Sequence, residues 1–261
     1  MDDASNDSTK EVTMNIKDNR INYIRHNIRK HASAARNSGI KLAKGTFIAF
    51  LDDDDEWAPQ KLKKQIDLIN KTKSNVGLIY CWIDYVNNDI VLNRYSPKLR
   101  GNIFDEMLDK QAIGNSSTIL IKRKVIENIG FFDESLPRGN DGDYIRRICR
   151  KYDVDYVPEV LVKAHVGHGY DRISDNDLEG IINNIKSQKV KIYKFNKELK
   201  DLPIQASNIY INIAFNYGVI KNWKQCALYY ITAIYKCPFN LNIYIKVIIS
   251  LKMAILNLLG T

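Results

Sequence analysis

The stretch Phe47-Ile-Ala-Phe-Leu-Asp-Asp-Asp-Asp-Glu-Trp57 restricts the fold of this chain more than any other. Five apolar residues, Phe47 to Leu51, run without a break into Asp52, Asp53, Asp54 and Asp55. A short apolar run closed by a breaker fits a strand covered on both faces, as in a mostly parallel sheet. The aspartates then stand at the carboxyl end of the strand, the edge where ligands bind in open α/β sheets. Four adjacent carboxylates repel one another, so they need a cation or positive side chains to offset them. Carboxylate oxygens suit Mg²⁺ and Mn²⁺, which take one or two from protein and complete their shell with substrate phosphates. An acidic, solvated turn capping the next helix fits the same residues, and on this stretch alone the two readings weigh about equally.

Composition narrows the rest. The chain has 261 residues, 45% hydrophobic and 26% charged, enough for one large domain with a small appendage. Its net charge is +9. That balance suits an anionic membrane surface or a phosphate-bearing ligand as well as nucleic acid. The lysines are spread out, and basic and aromatic residues do not interleave as single-strand binders require, so no nucleic-acid partner is expected. Cys81, Cys149, Cys226 and Cys237 form no close pair, which argues against a zinc ribbon or a disulfide framework and for buried thiols in a reducing compartment. The polar, acidic N-terminus does not resemble a secretion signal.

Along the chain, Met1 to Thr9 is rich in turn residues and leads into a helix near Thr9 to Asn15. Ile21 to Ile24 is a short extended candidate. His31 to Ala43 has Ala32, Ala35, Gly39 and Leu42 at helical spacing, with Gly45 expected as the left-handed residue past its end. A second helix opens near Pro59 with Leu62, Ile66 and Ile69 on one face. Val76 to Val86 reads as a buried strand, Asn87 to Lys98 as a loop or edge hairpin, and Asn102 to Leu108 as a short helix. Ser116 to Ile121 reads as a strand, Val125 to Ile129 as a helix closed by Gly130, and Asp141 to Tyr152 as a further helix. Val154 to Val166 suggests a strand pair interrupted by Pro158. After about Ser174 the pattern is helical: 175–198, 204–219, 223–236 and 241–259. The last of these is apolar but holds Lys246 and Lys252, so it falls short of a membrane span. The favoured reading is a helix buried against the domain; the other is a helix lying in a membrane interface.

Several motifs occur in order: Asp2-Asp-Ala-Ser-Asn-Asp-Ser-Thr9, Ala35-Arg-Asn-Ser-Gly39, Ala43-Lys-Gly45 and Phe50-Leu-Asp-Asp-Asp-Asp-Glu-Trp57. Together they resemble the nucleotide-sugar-binding half of family 2 glycosyltransferases, inverting enzymes of the GT-A fold, over roughly residues 1 to 170. Gly130-Phe-Phe-Asp-Glu134 followed by Asn140-Asp-Gly-Asp-Tyr-Ile-Arg-Arg147 is similar to the family's acceptor-side segment, with Asn140-Asp141 where a Glu-Asp pair is usual. The resemblance implies an α/β fold: a mixed GT-A sheet flanked by helices over residues 1–174, with a helical C-terminal region over 175–261. In the family an opening β-α-β unit precedes the Asp-Asp-x-Ser loop. Here that loop stands at Met1, so the expectation is an N-terminally truncated domain with an exposed sheet edge.

The resemblance also implies roles. Asp52-x-Asp54 is the Asp-x-Asp motif, with Asp54 as metal ligand, Asp52 nearer the ribose and Asp55 supporting them. Asp53 counts with the nucleotide-binding carboxylates, its other reading being a cap of the next helix, as for Asp55. Asp2 and Asp3 would meet the uracil edge, and Arg36 the nucleotide or its phosphates. For Arg36 an ion pair with the aspartates is nearly as good a reading. Asp141 is the implied catalytic base, alternatively a helix cap, and Arg147 would orient it or pair with Asp143. His165 is an implied further metal ligand, with His168 behind it. The implied cofactor is Mn²⁺ or Mg²⁺. The implied partners are a UDP-sugar donor and a glycan or lipid-linked saccharide acceptor in surface-polysaccharide assembly, in the cytoplasm or at the inner face of the membrane. Peripheral membrane contact through the C-terminal helices is a further expectation. The competing expectation is an inactive, truncated transferase-like fragment with a binding role or none.

Overall fold

The computed structural model describes residues 1–72, 75–166 and 177–258. In chain order they form α1 (Thr9–Asn15), α2 (His31–Leu42), β1 (Phe47–Ala49), β2 (Asp55–Trp57), α3 (Lys61–Lys71), β3 (Val76–Asn87), β4 (Ile90–Tyr95) and α4 (Phe104–Asp109). A 3₁₀ turn (Ser116–Thr118), β5 (Leu120–Lys122), α5 (Arg123–Ile129), α6 (Asn140–Cys149) and β6 (Asp153–His165) follow. The chain ends in α7 (Leu178–Lys194), α8 (Glu198–Asp201), α9 (Pro203–Val219), α10 (Trp223–Lys236) and α11 (Leu241–Leu258). Two compact units result: Met1–Ile103, Ile113–Ser135 and Asp143–His168 make the first; Phe104–Ala112, Leu136–Gly142 and Gly169–Thr261 make the second.

The first unit is built on a mixed sheet in the order β1-β5-β3-β6-β2, with β4 also paired to β3. Among the described strands only β3 and β6 run parallel; β1/β5, β2/β6, β3/β4 and β3/β5 are antiparallel. The mostly parallel sheet expected around Phe47 to Leu51 is therefore corrected. β1 pairs with β5 at one end of the strand order and is only partly covered, and Leu51 is half exposed. The strand buried on both faces is β3, where Leu78, Ile79, Tyr80, Cys81 and Ile83 are all fully buried. Ile79, Cys81 and Ile83 pack with Ile69 of α3 on one side. On the other side Gly77 lies so close to Tyr152 and Val125 that a Cβ would meet both at 2.9 Å.

Strand order dictates a curl. On a flat sheet β1 and β2 would lie four strand spacings apart, roughly 19 Å. Only residues 50–54 connect them, and Asp55 N–H donates to Asp52 O at 3.1 Å, closing a turn that shortens the link. The sheet bends to bring its two ends together, and the acidic tetrad occupies that bend.

Several local expectations change. Ile21 to Ile24 forms no strand; the residue after it, Arg25, makes one parallel bridge to Asp2. α2 ends at Ala43 in an extended conformation, so Gly45 closes nothing in the left-handed region. Gly130 does, at φ 83°, ending α5 as its position suggests. Asp53 and Asp55 do not cap α3, because β2 intervenes and the α3 N-terminus has no side-chain cap. Pro158 does not split the last strand. β6 runs through it with a bulge, where two steps along β3, Cys81 to Ile83, are matched by five along β6, Val157 to Val162.

Of the face expected on α3, Ile69 is buried and Ile66 partly so, while Leu62 is exposed and Lys61 and Gln65 turn inward instead. Lys61 Nζ donates to Gln65 Oε1 at 2.9 Å and lies 4.1 Å over the Trp57 ring. Gln65 Nε2 donates to the carbonyls of Ile79 and Thr118, tying α3 to the sheet.

In the second unit α9 is the central helix and contacts α7, α10 and α11. It buries Ile209, Ile211, Ile213 and Ala214, with Ser207 among them, on several sides. α11 was expected to lie buried. One stripe does, with Ile243 and Ser250 inward and Tyr230 bonded to Ser250 Oγ at 2.9 Å. Its other stripe is apolar and exposed.

Burial pushes the Lys61 amine down to about 8, from 10.5. Between those values the unfolded chain holds more protons than the folded one, so this group makes stability rise with pH across that window. Lys61→Met is expected to remove that rise, measured by urea unfolding at either end of the window.

Candidate active site

The tetrad between β1 and β2 is fastened from below by the turn Asn115–Thr118. Asp52 N–H donates to Ser117 Oγ at 3.0 Å, Ser116 Oγ donates to Asp52 Oδ2 at 3.0 Å, and Asn115 Nδ2 donates to Asp55 Oδ2 at 3.0 Å. Trp57 Nε1 donates to Ser117 O at 2.8 Å, so the strand after the tetrad is pinned to the same turn. Asp53, at the crest of the bend, is exposed.

Arg36 reaches the cluster from α2. Its Nη2 lies 2.6 Å from Asp52 Oδ1 and 3.0 Å from Ser116 Oγ. The ion-pair reading of Arg36 is thus the one the structure displays. One positive charge does not neutralise the cluster. Burial pushes the Asp55 carboxyl above its usual range, hydrogen bonds from Ser117 and Asn115 pull it down, and the charges on Asp52 and Asp54 push it up again.

His165 arrives by strand register. β2 and β6 pair Asp55 with Ala164, and the ladder extends one step, with His165 N–H donating to Asp54 O at 3.1 Å. The His165 ring Nε2 lies 3.1 Å from Glu56 Oε1. The structure therefore brings Asp52, Asp54, Asp55, Arg36 and His165 to one end of the sheet. No group of three or more His, Cys, Asp or Glu side chains converges as a closed cage among the described residues. The aspartates of the bend are oxygen donors of the kind Mg²⁺ or Mn²⁺ takes alongside substrate phosphates, so these carboxylates fit such an ion; only the backbone of His165 meets Asp54, and its imidazole faces Glu56. His168 lies outside the described residues.

Asp2 and Asp3 hold the N-terminal loop together. Asp2 is buried; it accepts from Ser5 N–H at 2.8 Å and from the Tyr23 hydroxyl, with Arg25 Nε 3.3 Å away. Asp3 accepts from the backbone N–H of Lys30 and His31 and meets His26 Nδ1 at 2.6 Å. It thereby supplies α2 with the N-terminal cap its own sequence lacks. Within α2 the buried residues are Ser33, Ala34, Asn37 and Ile40, a stripe rotated from the expected one. Asn37 clasps the Phe132 backbone in both directions, at 3.0 and 2.8 Å, and donates to Glu134 Oε1 at 2.7 Å.

Asp141 stands in the first turn of α6, which begins at Asn140, so it lies inside the helix and is not its cap. Further along α6, Arg147 pairs with Asp143 at 3.0 Å and donates to the carbonyls of Ile129 and Phe131. Sequence reasoning missed Asn37, Asn115, Ser116, Ser117 and Glu56. Ser116 to Thr118, expected as the start of a strand, is a 3₁₀ turn, and the strand begins only at Leu120.

Residues 1–130 match glycosyl transferase family 2. The chain belongs to that family. An uncharacterized glycosyltransferase of Methanocaldococcus jannaschii is 26% identical over 226 residues, 84% of this chain and 74% of its own length. Two Escherichia coli enzymes, WfgD and WfaP, are 31% and 34% identical, each over 50% of this chain. The chain spans half the length of each of these two relatives. Both are named as β-1,3-glucosyltransferases acting from UDP-Glc on α-D-GlcNAc-diphosphoundecaprenol. Among solved structures, residues 1–349 of S. aureus TarS with UDP-GlcNAc superpose with a TM-score of 0.55 at 15% identity, covering 93% of this chain and 78% of that one. That likeness shows the fold, a mixed GT-A sheet flanked by helices. This chain is a family 2 glycosyltransferase with that architecture.

One consequence concerns acid stability. Burial alone would raise the Asp2 carboxyl, but hydrogen bonds from Tyr23 and Ser5 and the Arg25 charge bring it from 3.8 down to about 2. The stability this group contributes is present above its unfolded value and is lost as pH falls toward about 2. Asp2→Asn is expected to lower stability at neutral pH and to flatten the acid limb over that window in a pH series of thermal melts.

Proposed function

We propose that this chain moves a sugar from a UDP-sugar to a hydroxyl of a lipid-linked saccharide during surface-glycan assembly, with inversion and with a divalent cation. The observation that carries the reading is the aspartate cluster at the bend between β1 and β2, paired with Arg36 through Asp52, with the backbone of His165 bonded to that of Asp54 beside it. The names of the E. coli relatives and the UDP-GlcNAc in TarS support the donor and acceptor classes.

In this reading Asp54 and His165 would hold Mg²⁺ or Mn²⁺, which when bound offsets charge on the leaving diphosphate. Asp52, fixed by Arg36 and Ser116, would present its remaining lone pairs to the ribose. Asp53, exposed at the crest, would line the nucleotide channel. Asp2 and Asp3 would shape the loop that receives the uracil edge, and Asp3 does so while capping α2. Arg36 would shift part of its charge from Asp52 to the phosphates. Asp141 would take the proton from the acceptor hydroxyl as it attacks the anomeric carbon from the face opposite the diphosphate. The Arg147 contacts to Asp143 and to the end of α5 would keep that helix from turning. The setting is cytoplasmic, in keeping with the free cysteines.

Calorimetric titration with UDP is expected to show binding that depends on Mn²⁺ and that Asp54→Ala abolishes. Absence of binding by a folded sample would favour the non-catalytic fragment instead. Asp141→Asn is expected to leave UDP binding intact while transfer falls by about 10² to 10⁴-fold.

A further inference from the structure

We infer that the outer face of α11 docks flat on an anionic lipid bilayer. The inference extends the lipid-linked acceptor proposed above, but it stands on the helical unit itself, so vesicle binding and UDP binding can fail separately. Ile243, Lys246, Val247 and Ser250 recur at three- and four-residue spacing and turn toward α9 and α10. The opposite side holds Leu241, Tyr244, Ile245, Ile248, Leu251 and Ile255, all between 47% and 74% exposed. A surface helix ordinarily shows polar residues there. From 241 to 255 the exposed polar residues are only Asn242 and Lys252. Phe239, 90% exposed, extends the apolar face at the start of the helix. A contiguous apolar surface of this extent marks an interaction site.

Charge decides what covers it. Residues 203–261 contain five lysines and no aspartate or glutamate. Lys252 stands in the exposed stripe and no acidic residue does, so a second copy pairing through this face would offer it no counter-charge. An anionic headgroup layer would, at about fivefold in affinity per lysine near the surface. Lys252 falls within the apolar stripe, where a long stem can lie along the acyl boundary and lift its amine to the headgroups. Lys246 turns inward instead, with its amine 4.1 Å over the Phe215 ring of α9. Exposed Tyr244 is a side chain of the kind that settles at the headgroup level. No helix among the described residues is long and apolar enough to cross a membrane, so α11 would lie in the plane of the interface.

The test is co-sedimentation of the full chain with vesicles of phosphatidylcholine, with and without phosphatidylglycerol. Binding to the phosphatidylglycerol vesicles, weakened by salt and weaker still on phosphatidylcholine alone, is the expected result. The double variant Ile245→Glu, Ile248→Glu should reduce partitioning by about tenfold or more with an unchanged far-ultraviolet circular dichroism spectrum, while Ile248→Leu retains it. Should the double variant fail to fold, Ile248→Trp reports directly: quenching of its emission by brominated lipid supports the inference, and an unquenched signal overturns it. No binding to phosphatidylglycerol vesicles, or binding indifferent to the double variant, overturns it as well. So does a wild-type dimer in light scattering that the same variant splits, since the face would then belong to a second copy.

Discussion

Arg36 meets Asp52 at 2.6 Å, and that ion pair makes the acidic bend between β1 and β2 tolerable. Two like charges about 5 Å apart cost roughly 3 kcal/mol at an effective dielectric of 20, and the bend crowds several. One guanidinium, two serine hydroxyls and an asparagine amide answer part of that repulsion. Burial, with a smaller push from the Asp52 and Asp54 charges, holds the Asp55 carboxyl above its usual range.

The supports of the bend are distributed through the sequence but converge on few elements. α2 delivers Arg36, and α2 is in turn capped by Asp3 and clasped to Phe132 through Asn37. The turn at Asn115–Thr118 holds both ends of the tetrad, and its Thr118 carbonyl accepts from Gln65 Nε2 of α3. Lys61 beneath it is a buried cation held against Trp57 and Gln65. Polar groups thus run continuously under the site. Such networks fix geometry well when their members are satisfied.

The parts of this architecture that were legible in the sequence are those set by neighbours along the chain. β3 could be read because eight apolar or small residues, Val76 to Ile83, follow one another, and α5 because Gly130 ends it. The helices after Ser174 were placed within a few residues at most ends by their periodicity. What resisted reading depends on partners far away. β2 is three acidic and aromatic residues that form a strand only because β6 offers an edge. The inward turn of Lys61 depends on the Trp57 ring, and the rotated stripe of α2 on the Phe132 backbone. The carboxylates of the candidate site announce themselves by their chemistry, whereas Ser116, Ser117 and Asn37 are ordinary polar residues until the chain folds.

The bulge around Pro158 sets where β6 stops. Its three surplus residues draw the strand back by about 10 Å relative to unbroken pairing. His165 consequently ends opposite Val86 and level with Asp54, where regular register would have carried it past the sheet. Three is odd, so the kink also exchanges which side of the pleat each later residue occupies. Length and handedness of the strand tip are governed together there. Shortening the kink by one residue would aim the imidazole at the opposite surface while leaving every amino acid of the site in the chain.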